Sequence, residues 1–289
     1  MLQPENKFKE KIISIILCAG EGARAKSITE NIPKALLKIK SFDYQPLLSL
    51  IIENLVLLKL DRIVVVTGHL GRLIEDYLNS PQIKSQYSDA TILSNSSRGQ
   101  YKFGSLHSLL SITTNTRIFK DDNIFLIFPG DTFFDIKLLK EVLDLLIVNF
   151  SHTLFNSIIF YRKIRADVLK RWFRKYYPQQ QITISFLKIE EKGPKTTLKE
   201  ISQKQLNMFS NEEYINQIIP IFIFNYTFVN EILELTKSIK FSYIREVVNF
   251  MAKKNKTFLA LAVNPEHNFY DIDNPLDLKI LNAKKKGGQ

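Results

Sequence analysis

"ILCAGEGARAKS", residues 16–27, closes an apolar run with two glycines, an arginine and a lysine, and three phosphate-binding patterns compete for it. Gly20, Gly22 and Ala25 fit a dinucleotide G-x-G-x-x-A turn, whereas Gly20 followed by Ala25, Lys26 and Ser27 is one glycine short of a Walker A loop. In the third pattern, Gly22 and Arg24 close over a phosphate together with a lysine from further along the chain. The surrounding residues choose among the three.

Dinucleotide and Walker loops both need a helix that starts at the glycines and continues, because its first NH groups and its dipole hold the phosphate. Here "TENIP" is turn-like, and Pro33 lacks an NH and biases Ile32 away from helical angles. The dinucleotide pattern also needs an acid at the end of the second strand, which instead reads "VVVTGHL", and the Walker pattern needs a glycine where Ala25 stands. The third pattern uses the same residues without these conflicts. Gly20 and Gly22 let main-chain NH groups approach a triphosphate, Arg24 and Lys34 supply two cations, and the stretch becomes one long loop.

Outward from this loop, short β-rich runs alternate with helical patterns. "IISIIL" (12–17) reads as a first strand, "PLLSLIIENLVLLKL" (46–60) as a helix and "DRIVVVTG" (61–68) as a second, buried strand. "GRLIEDYLN" is a short helix, "DATILSN" a third strand, "GSLHSLLSI" a helix and "NIFLIFPGD" (123–131) a fourth strand ending in an aspartate. Such βαβ alternation predicts an α/β fold: a Rossmann-like mixed, mainly parallel sheet with helices on both faces.

After the helix "IKLLKEVLDLLIVNF" the texture changes. The strand "NSIIFY", a basic helix near 165–177, a hairpin "QITISFLKIEEKGPKTTLKEI" and the strand "QIIPIFIF" lead to two helices, a strand "TFLALAV" and a closing "DIDNPLDLKILNAKK". With no repeat and no Gly/Ser linker, 1–289 is expected to be a single domain. Residues 11–135 form its nucleotide-binding half, 136–283 its acceptor-binding half and 284–289 a basic tail. Ligands of open α/β sheets gather at the carboxyl ends of the strands, where the opening loop and Asp131 both fall.

Forty Lys and Arg against 29 Asp and Glu leave a charge of +11, which favours anionic partners. A single cysteine, Cys18, excludes an internal disulfide framework or a multi-cysteine metal site. No segment approaches about 18 uninterrupted apolar residues, and the polar "MLQPENKFKEK" is no signal peptide, so no transmembrane segment and a cytoplasmic location are expected.

"LCAGEGARAKSITENIPKALLKI" (17–39) resembles the signature of the sugar-phosphate nucleotidyltransferases, the NDP-sugar pyrophosphorylases: L-A-A-G-x-G-T-R, then L-T, then P-K-x-L-x-x-[IV]. Cys18 and Ala23 depart from it, and loss of the Thr hydroxyl at Ala23 removes one phosphate contact. Three further stretches match in order. "KFGSLHSLL" (102–110) stands where the family has G-T-A-x-A-L, "FLIFPGD" (125–131) where a strand ends in G-D, and "YDIDNPLDL" (270–278) where the late W-x-D-[IV]-[GD]-T-P-x-D-[LY] stands. "LKEISQKQ" (198–205) is a weaker match to I-x-E-K-P, with Gln203 and Gln205 in place of Glu and Pro.

The resemblance implies the nucleotidyltransferase fold and an enzyme. A phosphate oxygen of an acceptor attacks the α-phosphorus of a nucleoside triphosphate and expels pyrophosphate, with Mg²⁺ as cofactor. It assigns Arg24 and Lys34 to catalysis, and Ala19, Gly20, Gly22, Ala23, Gly104 and Ser105 to the nucleotide. Lys204 goes to the acceptor phosphate, and Asp131 with Asp271 or Asp273 to the metal. Two anions must be brought together, so the work is charge neutralisation and alignment, at about 3–4 kcal/mol per well-placed donor, and no Ser, Cys or His nucleophile is needed.

The acceptor expected is a phosphorylated sugar or alcohol. A cytidylyltransferase for a phospho-alcohol (phosphocholine or inositol phosphate) and a catalytically idle nucleotide-sugar-binding regulatory protein are the alternatives. A nucleic-acid partner is not expected, and the chain is expected to be a monomer or small homo-oligomer.

Other residues carry structural expectations. Cys18 reads as a small buried residue under the loop, His107 as a packed one, and Asp277 as an exposed acid in the first turn of a helix. Ser105 and Ser108 are candidate substrate contacts. "RADVLKRWFRKYYP" (165–178) reads as a surface helix packing an aromatic stripe on the sheet, with a lid, membrane or RNA contact as the alternative.

Overall fold

The structure, a computed structural model, describes residues 8–22, 25–150, 157–178, 180–193 and 195–283. Its first half runs β1 (Ile12–Leu17), α1 (Lys26–Thr29), β2 (Lys38–Ile39), β3 (Gln45–Pro46), α2 (Leu47–Leu57), β4 (Arg62–Thr67), α3 (Gly71–Asn79) and α4 (Pro81–Gln86). β5 (Thr91–Ser96), α5 (Ser105–Leu110), β6 (Ile124–Pro129), β7 (Thr132–Phe134) and α6 (Ile136–Phe150) complete it. The second half runs β8 (Ser157–Arg165), α7 (Ala166–Tyr176), β9 (Thr183–Lys192), β10 (Lys195–Gln205) and β11 (Tyr214–Asn225). It ends with α8 (Tyr226–Thr236), α9 (Ile244–Lys253), β12 (Leu259–Val263), β13 (Phe269–Asp271) and α10 (Pro275–Ala283).

One nine-stranded sheet draws strands from both halves in the order β5-β4-β1-β6-β11-β8-β12-β10-β9. β5, β4, β1 and β6 are mutually parallel, as the alternation predicts. β11 then runs antiparallel to both β6 and β8, β12 is parallel to β8, and β10 and β9 close the sheet antiparallel. The sheet is therefore mixed.

Apolar residues in the central strands fill both faces. Ile12, Ile16, Ile63, Val65, Leu126 and Phe128 face a core shared with α2, α3 and α6. Their neighbours Ile13, Ile15, Val64, Val66, Phe125 and Ile127 face a second core shared with α5, α8 and α9.

Two local features differ from expectation or sharpen it. The loop expected from Cys18 to Pro33 contains the single helical turn α1, and Lys34–Leu36 form a 3-10 turn entered from extended Pro33. In β11 the register shifts between Ile219 and Phe222, so Pro220, which has no NH to give a ladder, sits in a bulge over the site.

The basic helix α7 packs as a surface element. Ala166 and Leu169 are buried with Ile184, Leu206, Phe209 and Ile215, and Trp172 lies against Phe173, Tyr176 and Tyr177 while Arg171, Arg174 and Lys175 stay exposed.

Candidate active site

A cleft of about 820 Å³ opens above the carboxyl ends of β1 and β6. The roots of the opening loop are pinned there by backbone bonds: the Cys18 NH donates to Val66 O at 2.9 Å, His69 NH to Ala19 O at 3.0 Å and Gly130 NH to Leu17 O at 2.9 Å. Cys18 is buried beneath, and burial, with Asp131 nearby, pushes its thiol far above the ordinary range, so it is an inert packing residue.

Gly20 and Gly22 have different reasons to be glycine. A Cβ on Gly20 would meet no protein atom within 4 Å, so that position faces open cleft. Gly22 has φ +65° and its missing Cβ would press on the Lys34 stem at 3.3 Å. Its carbonyl accepts from the Ala25 NH at 2.8 Å and from Thr29 Oγ1 at 3.3 Å, which folds the loop back over the lysine.

Lys34 itself lines the cleft. Its ammonium donates to Asp131 Oδ2 at 3.1 Å and to Asp273 Oδ1 at 3.3 Å, and its side chain is only 11% exposed. The two carboxylates are far apart in sequence and meet through strand pairing. β13 runs antiparallel to β7 with Asp271 opposite Thr132, and the Ile272 NH donates to Asp131 O at 2.9 Å.

The same pairing separates the roles of the two late aspartates. Asp271 stands in register with Thr132, whose Oγ1 donates to its carboxylate at 2.5 Å, whereas Asp273, beyond the strand, swings onto Lys34. Asp271 reaches solvent but is walled in by protein. That loss of surrounding water, joined by the charges of Asp131, Asp273 and Asp277, raises its carboxyl to about 7 against the opposing Thr132 bond.

Asp277 is more than an exposed helix acid. Its Oδ2 accepts from the NH groups of Asp273 and Asn274, both at 2.7 Å, and its Oδ1 accepts from the Tyr177 hydroxyl. β13 itself is held by Arg162, whose NH1 reaches His267 O at 2.9 Å while its guanidinium lies over the Phe269 ring. Burial lowers that guanidinium to about 10.

Residues 14–154, a little under half of the chain, match the MobA-like NTP transferase domain. The chain carries a nucleotidyltransferase domain. No curated protein matches its sequence. Among solved structures, a UDP-glucose pyrophosphorylase complexed with UDP-glucose is 16% identical, with 93% of this chain and 96% of that one covered at a TM-score of 0.66. A Bacillus anthracis protein assigned as a glucose-1-phosphate thymidylyltransferase, in complex with a sucrose, is 17% identical over 96% and 98%, with a TM-score of 0.65. UTP-bound UGPase from Acinetobacter baumannii is 13% identical over 93% and 91%, with a TM-score of 0.66. At these identities the likeness establishes the fold, which spans nearly the whole chain and not only the matched domain.

The nucleotidyltransferase cleft gathers most of the residues expected from sequence. Ala19, Gly20, Gly22, Lys34, Gly104, Ser105, Ser108 and Asp131 line it. Ala23 and Arg24 lie outside the described residues, as does the basic tail 284–289. Gly104, at φ +110°, lets α5 begin against Ser242, whose oxygen would lie 2.2 Å from an added Cβ. His107 is structural, as expected, with its Nε2 2.9 Å from Phe241 O.

Lys204 departs from expectation. Ile201 and Gln203 of β10 line the cleft, so strand alternation sends Lys204 to the opposite face, where its ammonium lies 4.5 Å from the centre of the Phe209 ring. Sequence reasoning missed Tyr101, Ser185, Phe222, Tyr243 and Arg245, which also line the cleft. Gln203, a departure from the family pattern beside Lys204, lines the cleft as well.

The carboxylate end fits a small hard cation. Asp131 and Asp273 direct oxygens to within 3.3 Å of one nitrogen, and the Asp277 carboxylate holds the backbone NH of Asp273 in place. Among the described residues no cluster of three or more metal-ligating side chains forms. Mg²⁺ needs only one or two carboxylates when phosphate oxygens and water complete its shell, so Asp131 and Asp273 suffice.

Proposed function

We propose that the protein transfers a nucleoside monophosphate from a nucleoside triphosphate to a sugar 1-phosphate or related phosphorylated acceptor, with Mg²⁺, releasing pyrophosphate. The observation that carries this reading is Lys34 fixed between Asp131 and Asp273 in a cleft that Gly20 and Gly22 also line. An acceptor phosphate oxygen forms a bond to the α-phosphorus as the bond to the bridging oxygen breaks, and that oxygen leaves with pyrophosphate.

In this reading the main chain at Ala19, Gly20, Gly22 and Ala23 cradles the triphosphate, and Lys34 with Arg24 neutralises charge on the α-phosphate and the leaving group. Gly104 and Ser105 border the nucleoside. Asp131 and Asp273 hold the metal, with Asp271 supporting them from behind. A bound Mg²⁺ would supply Lewis acidity at the phosphates. The names of the structural neighbours, which include UDP-glucose, UTP and glucose 1-phosphate, favour a sugar phosphate as acceptor.

The cleft divides its charged and polar lining between the two halves of the chain. Its lining carboxylates are Glu21 and Asp131, both in the first half of the chain, whereas the second half contributes Ser185, Gln203, Tyr243 and Arg245. Residues 11–135 thus serve as the nucleotide half and 136–283 as the acceptor half of a single domain. Among the described residues no helix is long and apolar enough to cross a membrane, and a lone buried cysteine suits the cytoplasm proposed for it.

The test is pyrophosphate release from each of the four nucleoside triphosphates with Mg²⁺ and a panel of sugar 1-phosphates and phospho-alcohols. At least one pair should exceed an Asp131→Asn control by about a hundredfold or more. Release no faster than that control with every pair would leave nucleotide binding without catalysis.

A further inference from the structure

Two cations face the cleft among the described residues, and they differ in their company. Lys34 is held by two carboxylates. Arg245, in the first turn of α9, lines the cleft half-buried, and its guanidinium has no acidic or hydrogen-bonding partner among the described residues. A half-buried guanidinium facing a concave surface with no counter-charge is a site for an anion.

The position of Arg245 is fixed by its own helix. α9 is clamped to β10 at one point: the Ile201 NH donates to Asn249 Oδ1 at 2.7 Å and Asn249 Nδ2 donates to Ile201 O at 2.9 Å. Arg245 is one helical turn before Asn249, on the same face, and Gln203 is two residues beyond Ile201 on the same face of the strand. Gln203 Nε2 in turn donates to Ser185 Oγ at 3.0 Å, leaving its amide oxygen for a hydroxyl. Among the described residues the wall therefore presents one guanidinium, one amide and two hydroxyls, those of Ser185 and Tyr243, with no carboxylate.

We propose that Arg245 holds the anionic group of the acceptor, with Gln203 and Ser185 taking hydroxyls of the same molecule. Arg245 thereby fills the role that sequence assigns to Lys204. The inference rests on the reading of the cleft as a nucleotidyltransferase site. The ligand class is a phosphorylated polyhydroxy compound.

Arg245→Gln, Arg245→Lys and Lys204→Gln are compared in steady-state kinetics with the acceptor that releases pyrophosphate in the panel above. Arg245→Gln should raise the acceptor KM about ten- to hundredfold, the loss of one charge-assisted phosphate contact, with kcat and the nucleotide KM changed less than about threefold. Arg245→Lys should recover part of the loss, and Lys204→Gln should match the parent protein. An unchanged acceptor KM in Arg245→Gln, a rise in the nucleotide KM instead, or a rise in Lys204→Gln would overturn the assignment.

Should no acceptor release pyrophosphate, the catalytic reading fails and calorimetry with glucose 1-phosphate and with glucose tests Arg245 alone. Binding of the phosphorylated sugar only, lost in Arg245→Gln, upholds the inference. Binding that is absent or indifferent to the substitution overturns it. Thermal melting of each variant within a few degrees of the parent excludes misfolding as the cause.

Discussion

The two walls of the cleft are built on opposite plans. On the proposed nucleotide side, charges are paired and the backbone is pinned: Lys34 between Asp131 and Asp273, Gly130 against Leu17, and Asp277 holding the chain at Asp273. On the proposed acceptor side, Ser185, Gln203 and Arg245 come from three separate elements, and the guanidinium has no counter-charge among the described residues. A wall that every substrate must meet can be rigid and self-satisfied, whereas a wall that selects one acceptor keeps its polar groups open.

The largest expected effect breaks the paired wall. Lys34→Gln leaves two facing carboxylates without their cation and removes a charge from the phosphates, so kcat should fall about a hundred- to thousandfold. Ser185→Ala, on the open wall, should cost no more than about tenfold, appearing in the acceptor KM. Pyrophosphate-release kinetics on both variants decide it, and equal losses would erase the distinction between the walls.

Two glycines sharpen the contrast further. A Cβ on Gly130 would lie 2.4 Å from Cys18 Sγ and 2.8 Å from Leu17 O, so Gly130→Ala must shift the strand end that carries Asp131. It should lower stability by about 1–3 kcal/mol in chemical denaturation, with activity falling alongside. Gly20→Ala meets no protein atom, so it should melt as the parent does and weaken only nucleotide binding, read by calorimetry.

The smallest effect concerns Cys18. Because burial raises its thiol, almost no thiolate exists at pH 8, and iodoacetamide should label the folded protein negligibly until denaturant is added. Rapid labelling of the native state would mean that the floor under the loop opens.

Much of this was readable from residues. β1, β4 and β6 are largely apolar runs because both faces of a central parallel strand are buried, and Lys34, Asp131 and Asp273 fall within spaced motifs. The antiparallel insertion of β11 beside β6 was not legible, since periodicity describes a strand's faces and not its neighbours. Asp271 and Asp273 share a motif, and only the register with Thr132 separates them. Lys204 against Gln203 was a question of strand phase. Arg245, in an amphipathic first turn, looks like any solvated arginine until α9 is docked on β10.

The pairing of β13 with β7 has a consequence for how activity appears during synthesis. A growing chain that has emerged through α6 already holds the glycine loop, Lys34 and Asp131, yet the partner that fixes Lys34 from the other side arrives with Asp273, more than a hundred residues later. The proposed catalytic centre is therefore completed only once β13 has emerged, and a nascent chain stalled before β13 would offer a half-formed pocket with its lysine tethered on one side only.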